Sequence, residues 1–182
     1  MKRCHWVNLA NPLYVRYHDE EWGKPEHDDK KLYEMLILES FQAGLSWECI
    51  LNKRENFRRA FSQFDMDKIL CFTRSDVDRL AADAGIIRNR RKIEAAIVNS
   101  HVFKSIQQEW GSFDRYIWHF THGETIVEPH TERTTSPLSD EVSKDLRRRG
   151  MKFVGSTTIY ALLQSIGVIN AHGEECDLCP HR

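Results

Sequence analysis

Along most of the chain apolar residues return every three to four positions, and period-two alternation is nearly absent. Asp28 or Asp29 is placed to cap a helix whose inner face runs through Leu32, Met35, Leu36 and Glu39, with Gly44 as its stop. Ser46 caps a second, in which Trp47, Ile50, Leu51, Phe57 and Phe61 recur at helical spacing. Ser75 with Asp78 has the form of a capping box before Val77, Leu80 and Ala81, and Gly85 closes that element. A further helix is predicted from about Asn89 through Ile93, Ile97 and Val102, and another from Phe113 to Phe120. The stretch from Thr121 to Pro137 is polar and aperiodic, holds Pro129 and Pro137, and is predicted as the one long loop. Beyond it Ser139 starts a helix that Gly150 ends, and Ser156 or Thr157 starts the last long helix, ended by Gly167. The pattern predicts an all-α fold, a compact bundle of short helices forming a single domain over residues 1–182, without repeat or linker.

Length and composition narrow the class. A chain of 182 residues suffices for a real core. No apolar run approaches the ~20 residues that span a bilayer, and Met1-Lys2-Arg3-Cys4-His5-Trp6 lacks the apolar segment of a secretory signal. A cytoplasmic protein is expected, nucleoid-associated in a bacterium, with no membrane partner and with monomer as the default. Five cysteines, an odd number, argue against a disulfide framework and for reduced thiols or metal ligands. The net charge of −1 does not mark a nucleic-acid binder, yet Arg88, Arg90, Arg91 and Lys92 form one basic cluster and Arg147, Arg148, Arg149 and Lys152 another. Taken alone, either cluster reads as a solvated face.

Glu39 is the residue out of place. The stretch from Leu32 to Phe41 is apolar enough to demand burial, and a buried carboxylate is costly unless it is paired, protonated or used. A side chain that turns outward or pairs with a nearby arginine, and a functional role, weigh evenly on pattern alone. Trp6, Tyr14, Tyr17 and Trp22 form a dense aromatic group in a short stretch that reads as irregular, suited to stacking a planar ligand. Gln42-Ala43-Gly44-Leu45-Ser46-Trp47 makes a tight inter-helix turn carrying a Leu and a Trp. Cys4 and His18 near one end and His172 and Cys176 near the other form an S2N2 set suited to a closed, structural zinc site. The i, i+4 spacing of His172 and Cys176 puts them on one helical face or around one turn. Cys179 and His181 offer a rival half-site, and spacing alone does not separate the quartets.

Several segments together resemble the 3-methyladenine DNA glycosylase I family, a branch of the helix-hairpin-helix glycosylases. They are Arg3-Cys4-x-Trp6, Tyr17-His18-Asp19-x-Glu21-Trp22-Gly23, and Leu38-Glu39-x-x-Gln42-Ala43-Gly44-Leu45-Ser46-Trp47. Asp83-Ala84-Gly85-Ile86-Ile87-Arg88-x-Arg90-x-Lys92-Ile93, Lys152-Phe153-Val154-Gly155 with Thr157, and His172-x3-Cys176 follow in the family's order. The resemblance implies a monofunctional enzyme that flips 3-methyladenine out of double-stranded DNA carrying alkylated bases, hydrolyses its N-glycosidic bond, and releases free 3-methyladenine and an abasic site. It implies that Glu39 reads the flipped base as the catalytic-site carboxylate. Trp47 and Tyr17 stack it, and Trp6, Trp22 and, less securely matched, Tyr14 line the pocket. Leu45 with Gly44 would enter the gap left in the duplex, and the hairpin of Lys152, Gly155 and Thr157 would hold phosphate. The resemblance selects Cys4, His18, His172 and Cys176 as ligands of one structural Zn2+, with Cys179 or His181 as the alternative. Ser40 and Phe41 fill variable positions of the Glu39 motif. The catalytic Asp of the wider superfamily has no counterpart downstream of Gly155 except Asp177, which leaves the water-activating group unassigned. A zinc-stabilised lesion-binding protein without activity, and a hydrolase with catalytic zinc, are the competing expectations.

Overall fold

The structure, a computed structural model, describes residues 1–128 and 133–180. Its centre is helix α2 (Asp29–Gln42), in which every residue from Leu32 to Phe41 is buried. A helix apolar on all sides must be surrounded. Around it pack α3 (Trp47–Leu51), α7 (Arg90–Trp110), α8 (Phe113–His119) and α10 (Ser156–Ser165). Asp28 caps α2 by accepting from the Lys31 N–H. Asp29 instead accepts from the backbone of Phe113 and Asp114, pinning the start of α8 to the start of α2. Helices α1 (Pro12–Glu20), α4 (Arg54–Ala60), α5 (Met66–Leu70), α6 (Arg74–Ala82) and α9 (Pro137–Arg148) complete the helical part, with one 3-10 turn at Ser62–Phe64.

The fold is mostly helical, with one departure from an all-α architecture among the described residues. Within the stretch predicted as loop, β1 (Ile126–Val127) pairs in parallel with β2 (Ile169–Asn170), Ile126 opposite Ile169. Two residues are too few to register as alternation. Pro129 lies outside the described residues. The aromatic stretch near the N-terminus is irregular only in part: Trp6 and Trp22 lie in turns, while Tyr14 and Tyr17 lie on α1, capped by the Asn11 side chain, with Pro12 in its first turn.

Helix ends move where the backbone decides. Thr73 is extended at φ −105° and forms the capping box with Asp76, so α6 starts before Ser75, and Asp78 pairs with Arg90 instead. Ser136, not Ser139, caps α9, with Pro137 following and Ser139 completing a reciprocal pair. The run from Trp47 to Phe61 breaks into α3 and α4 at Asn52 and Lys53.

The two ends of the chain meet. Lys2 and Asp177 exchange hydrogen bonds, with the Lys2 N–H reaching Asp177 Oδ2 at 2.8 Å and the Asp177 N–H reaching the Lys2 carbonyl at 3.0 Å. Gly167, at φ +72°, passes so near Lys24 that a Cβ there would lie 2.1 Å from its carbonyl carbon. Among the described residues no helix is long and apolar enough to cross a membrane.

Candidate active site

The last turns of α2 carry Glu39 and Gln42 to a cleft of about 230 Å³. Two buried acids on this helix have opposite surroundings. Glu34 accepts from Arg54 at 2.6 Å and pairs with Arg58 at 2.8 Å. Glu39, 3% exposed, has no such partner, and its Oε2 is buried without a hydrogen bond. Burial alone pushes its carboxyl from 4.5 up to about 8. Among the described residues no ion pair reaches Glu39, and its carboxyl lines the cleft instead.

Aromatic rings wall the cleft. Tyr17 of α1 and Trp47 of α3 are both buried, with ring centroids 5.1 Å apart and planes inclined by 47°. Trp6 stands edge-on to Trp22 at 4.8 Å and tilts against Tyr14 at 5.4 Å. Burial, with Glu48 adding to it, pushes the Tyr14 hydroxyl up to about 12, and burial with the nearby Glu39 pushes the Tyr17 hydroxyl well above its ordinary value, so both remain neutral donors. The Trp47 indole N–H is buried without a partner. One cleft thus holds an unpaired carboxyl oxygen and an unpaired N–H, each costing about 1–3 kcal/mol unless a ligand or water meets it. Its volume is below the range of drug-sized sites and suits a single planar ring system.

Ala161 and Gln164 also line the cleft and escape the sequence reading, and Gln42, quoted there only as part of a turn motif, lines it too. Gln42 stands three residues after Glu39, a spacing that places both on one face. Ala161 and Gln164 give no signal, because α10 has the apolar pattern of any core helix.

Gly44 and Leu45 lie on the exposed turn after α2. Gly44 takes φ +80° with open space where a Cβ would stand, and Leu45 is 40% exposed. The hairpin between α9 and α10 exposes Lys152, Phe153, Gly155 and Thr157, beside a groove rimmed by Lys144, Arg147 and Arg148. Gly155 is the N-cap of α10, which leaves first-turn N–H groups of that helix facing outward.

Behind the cleft lies a Cys/His cluster. The ligating atoms of Cys4, His18 and Cys176, all buried, fall within 4.8 Å of one another. His18 Nε2 is 3.6 Å from Cys176 Sγ, while its Nδ1 contacts Asp19 at 2.8 Å. His172 stands outside this mutual set, edge-on to His18 at 5.1 Å. Asn170 Oδ1 holds its Nδ1 at 2.8 Å and leaves Nε2 buried and unpartnered. The segment from His172 to Cys176 is a turn rather than helix, closed by the Cys176 N–H to the Gly173 carbonyl at 2.8 Å. Burial pushes the Cys4 thiol up to about 12, so without a cation beside it the thiol stays protonated. Cys179 is buried but does not join the set, and His181 lies outside the described residues. The cluster touches the cleft wall, with His172 4.7 Å from Trp22 and His18 5.4 Å from Trp6.

A helical fold that keeps a buried carboxyl and an indole N–H unpaired in an aromatic, base-sized cleft beside exposed Leu- and Lys-bearing turns belongs to the class of planar-base binders. The chain belongs to the methyladenine glycosylase family, whose model matches residues 6–180. It is 45% identical to the DNA-3-methyladenine glycosylase 1 of Escherichia coli K12 over 99% of this chain and 98% of that one. A crystal structure of a 3-methyladenine DNA glycosylase I superposes with a TM-score of 0.94 at 43% identity, covering 98% of this chain and all of the other. A Tyr-to-Phe variant of a 3-methyladenine DNA glycosylase I, solved in complex with 3-methyladenine, superposes at 0.93 with 34% identity over 99% of this chain and 98% of that one.

Proposed function

We propose that this protein excises 3-methyladenine from alkylated double-stranded DNA by hydrolysis, leaving an abasic site. Family membership supports the reaction, and the observation that carries it to this site is Glu39, buried and unpaired in the aromatic cleft. Alkylation at N3 makes the adenine cationic. The rings of Tyr17 and Trp47 attract a cation through their faces, and Glu39 gains a compensating charge that neutral adenine does not supply. The cationic base is an activated leaving group, so the demand on general acid catalysis is small and binding in the right geometry carries much of the rate.

Glu39 is the only carboxyl lining the cleft among the described residues, and in its ionised form it is the group suited to orient water. Asp177 bonds the Lys2 N–H instead. Trp6, Tyr14 and Trp22 complete the base pocket. Leu45, presented by Gly44, fills the duplex gap, and Lys152, Gly155 and Thr157 hold phosphate in a helix-hairpin-helix arrangement of α9 and α10. The protein acts as a monomer in the cytoplasm, with residues 1–182 as one domain. Of Lys53, Lys92 and Lys152, the first two donate to backbone carbonyls, and the exposed Lys152 is assigned to phosphate.

The Cys/His cluster fits one structural Zn2+. Cys4, His18 and Cys176 supply three ligands, and the unpartnered Nε2 of His172 supports it as the fourth. Such a metal would tie the chain ends and convert two buried thiols into stabilised thiolates. Release of free base from methylated DNA, with products resolved by identity, tests the proposal. Release of 3-methyladenine is expected, and tight lesion binding without release would leave a recognition protein.

A further inference from the structure

The turn after α2 and the hairpin before α10 are far apart in sequence, yet one helix holds both. Lys92, in the first turn of α7, is 7% exposed and donates from Nζ to the carbonyls of Phe41 at 2.8 Å and Ala43 at 2.6 Å. These belong to the end of α2, where carbonyls lack helical partners and a cation is favoured. The same Nζ lies 5.9 Å from the ring centroid of Phe153, the hairpin tip, which is 37% exposed at φ +54°. Seven residues on, along the same face, the fully buried Asn99 brackets Lys152. Its Oδ1 accepts the Lys152 N–H at 2.7 Å and its Nδ2 donates to the Lys152 carbonyl at 2.9 Å. From α9, Ser143 donates to the Val154 carbonyl at 2.7 Å. The two exposed apolar tips, Leu45 and Phe153, therefore stand on turns clamped to a common helix.

We propose that Lys92 is a positioning residue that locks the Ala43–Leu45 turn to the Phe153 tip, so that strand anchoring and duplex wedging are presented at one fixed spacing. The inference rests on the base-excision reading of the cleft. Lys92 does not line that cleft, so its role lies in opening the duplex and not in recognising the free base. An apolar side chain of similar length would keep the packing but leave two carbonyls unmet, whereas arginine can donate to both.

The test compares full-length wild type, Lys92→Met and Lys92→Arg. Base release from methylated duplex is followed in single turnover at saturating enzyme, and free 3-methyladenine binding by tryptophan fluorescence. Lys92→Met is expected to slow release about 10- to 100-fold while leaving free-base affinity unchanged, and Lys92→Arg to recover most of the rate. A wild-type rate in Lys92→Met overturns the proposal, as does a parallel loss of free-base affinity. Should the methionine variant not fold, Lys92→Leu, which also has no donor, is read the same way. If wild type itself releases no base, the excision reading has failed. Lys92 is then judged on duplex opening alone, by the fluorescence of 2-aminopurine beside the lesion, which its replacement must reduce.

Discussion

Glu34 and Glu39 share a helix, a side-chain chemistry and a degree of burial, and differ in company. Glu34 is held by Arg54 and Arg58, whereas Glu39 faces rings and an unpaired indole N–H. The consequence is a stability that depends on pH. Below 4.5 both folded and unfolded chains carry the Glu39 proton; between 4.5 and about 8 the unfolded chain ionises while the folded one holds its proton, so stability falls as pH rises. The full penalty, on the order of 5 kcal/mol, is present above that window. Glu39→Gln is expected to be more stable than wild type at pH 8 to 9 and to converge with it near 4.5, as read from urea midpoints across pH. Parallel pH profiles for the two proteins would contradict this. The same substitution should slow excision far more than it weakens DNA binding, the trade of stability for function that an unpaired buried acid represents.

The elements divide by what the sequence could display. Helices α2 and α7 are legible because long apolar faces must be buried, and Glu39 is legible because it interrupts such a face. Helix α1 hides because its rings turn to the cleft and leave no aliphatic stripe, and the β1–β2 pair is too short for any period. Lys92 hides differently. It sits in a cationic cluster that reads as solvated, and Arg88, Arg90 and Arg91 are indeed exposed, but one helical position turns Lys92 inward. The turns are unequal in a way only packing reveals. Gly167 and Gly123 both adopt positive φ, at 72° and 83°, but a Cβ at Gly167 would collide with the backbone of Lys24 and Pro25, whereas none meets Gly123. Gly167→Ala should therefore cost more than about 3 kcal/mol, against about 1–2 for Gly123→Ala, in chemical denaturation. At the turn after α2, Leu45→Ala should lower excision on duplex DNA while free 3-methyladenine still binds, because Leu45 does not line the cleft. Loss of both together would remove Leu45 from the duplex-facing role.

At the scale of the molecule, the chain ends and the base cleft are one structure. Trp22 stands between His172 at 4.7 Å and Trp6 at 4.8 Å, so the wall of the cleft leans on the Cys/His cluster. Gly23 permits that approach, since a Cβ there would lie 2.8 Å from the His172 ring. Loosening the cluster should then be felt in the cleft before the helices separate. Cys176→Ala is expected to abolish stoichiometric zinc, read by elemental analysis, and to lower the melting temperature on the order of 10 °C. It should also weaken free 3-methyladenine binding, with quenching of Trp6 and Trp22 fluorescence lost at temperatures where the far-ultraviolet helical signal is still native. Cys179→Ala, at a buried thiol outside the ligand set, separates a metal effect from loss of packing, because it should retain zinc and base affinity. Equal zinc loss in both variants would move Cys179 into the ligand set. Unchanged melting and zinc content in Cys176→Ala would detach the cluster from metal altogether and leave the joined termini resting on the Lys2–Asp177 contacts and apolar packing.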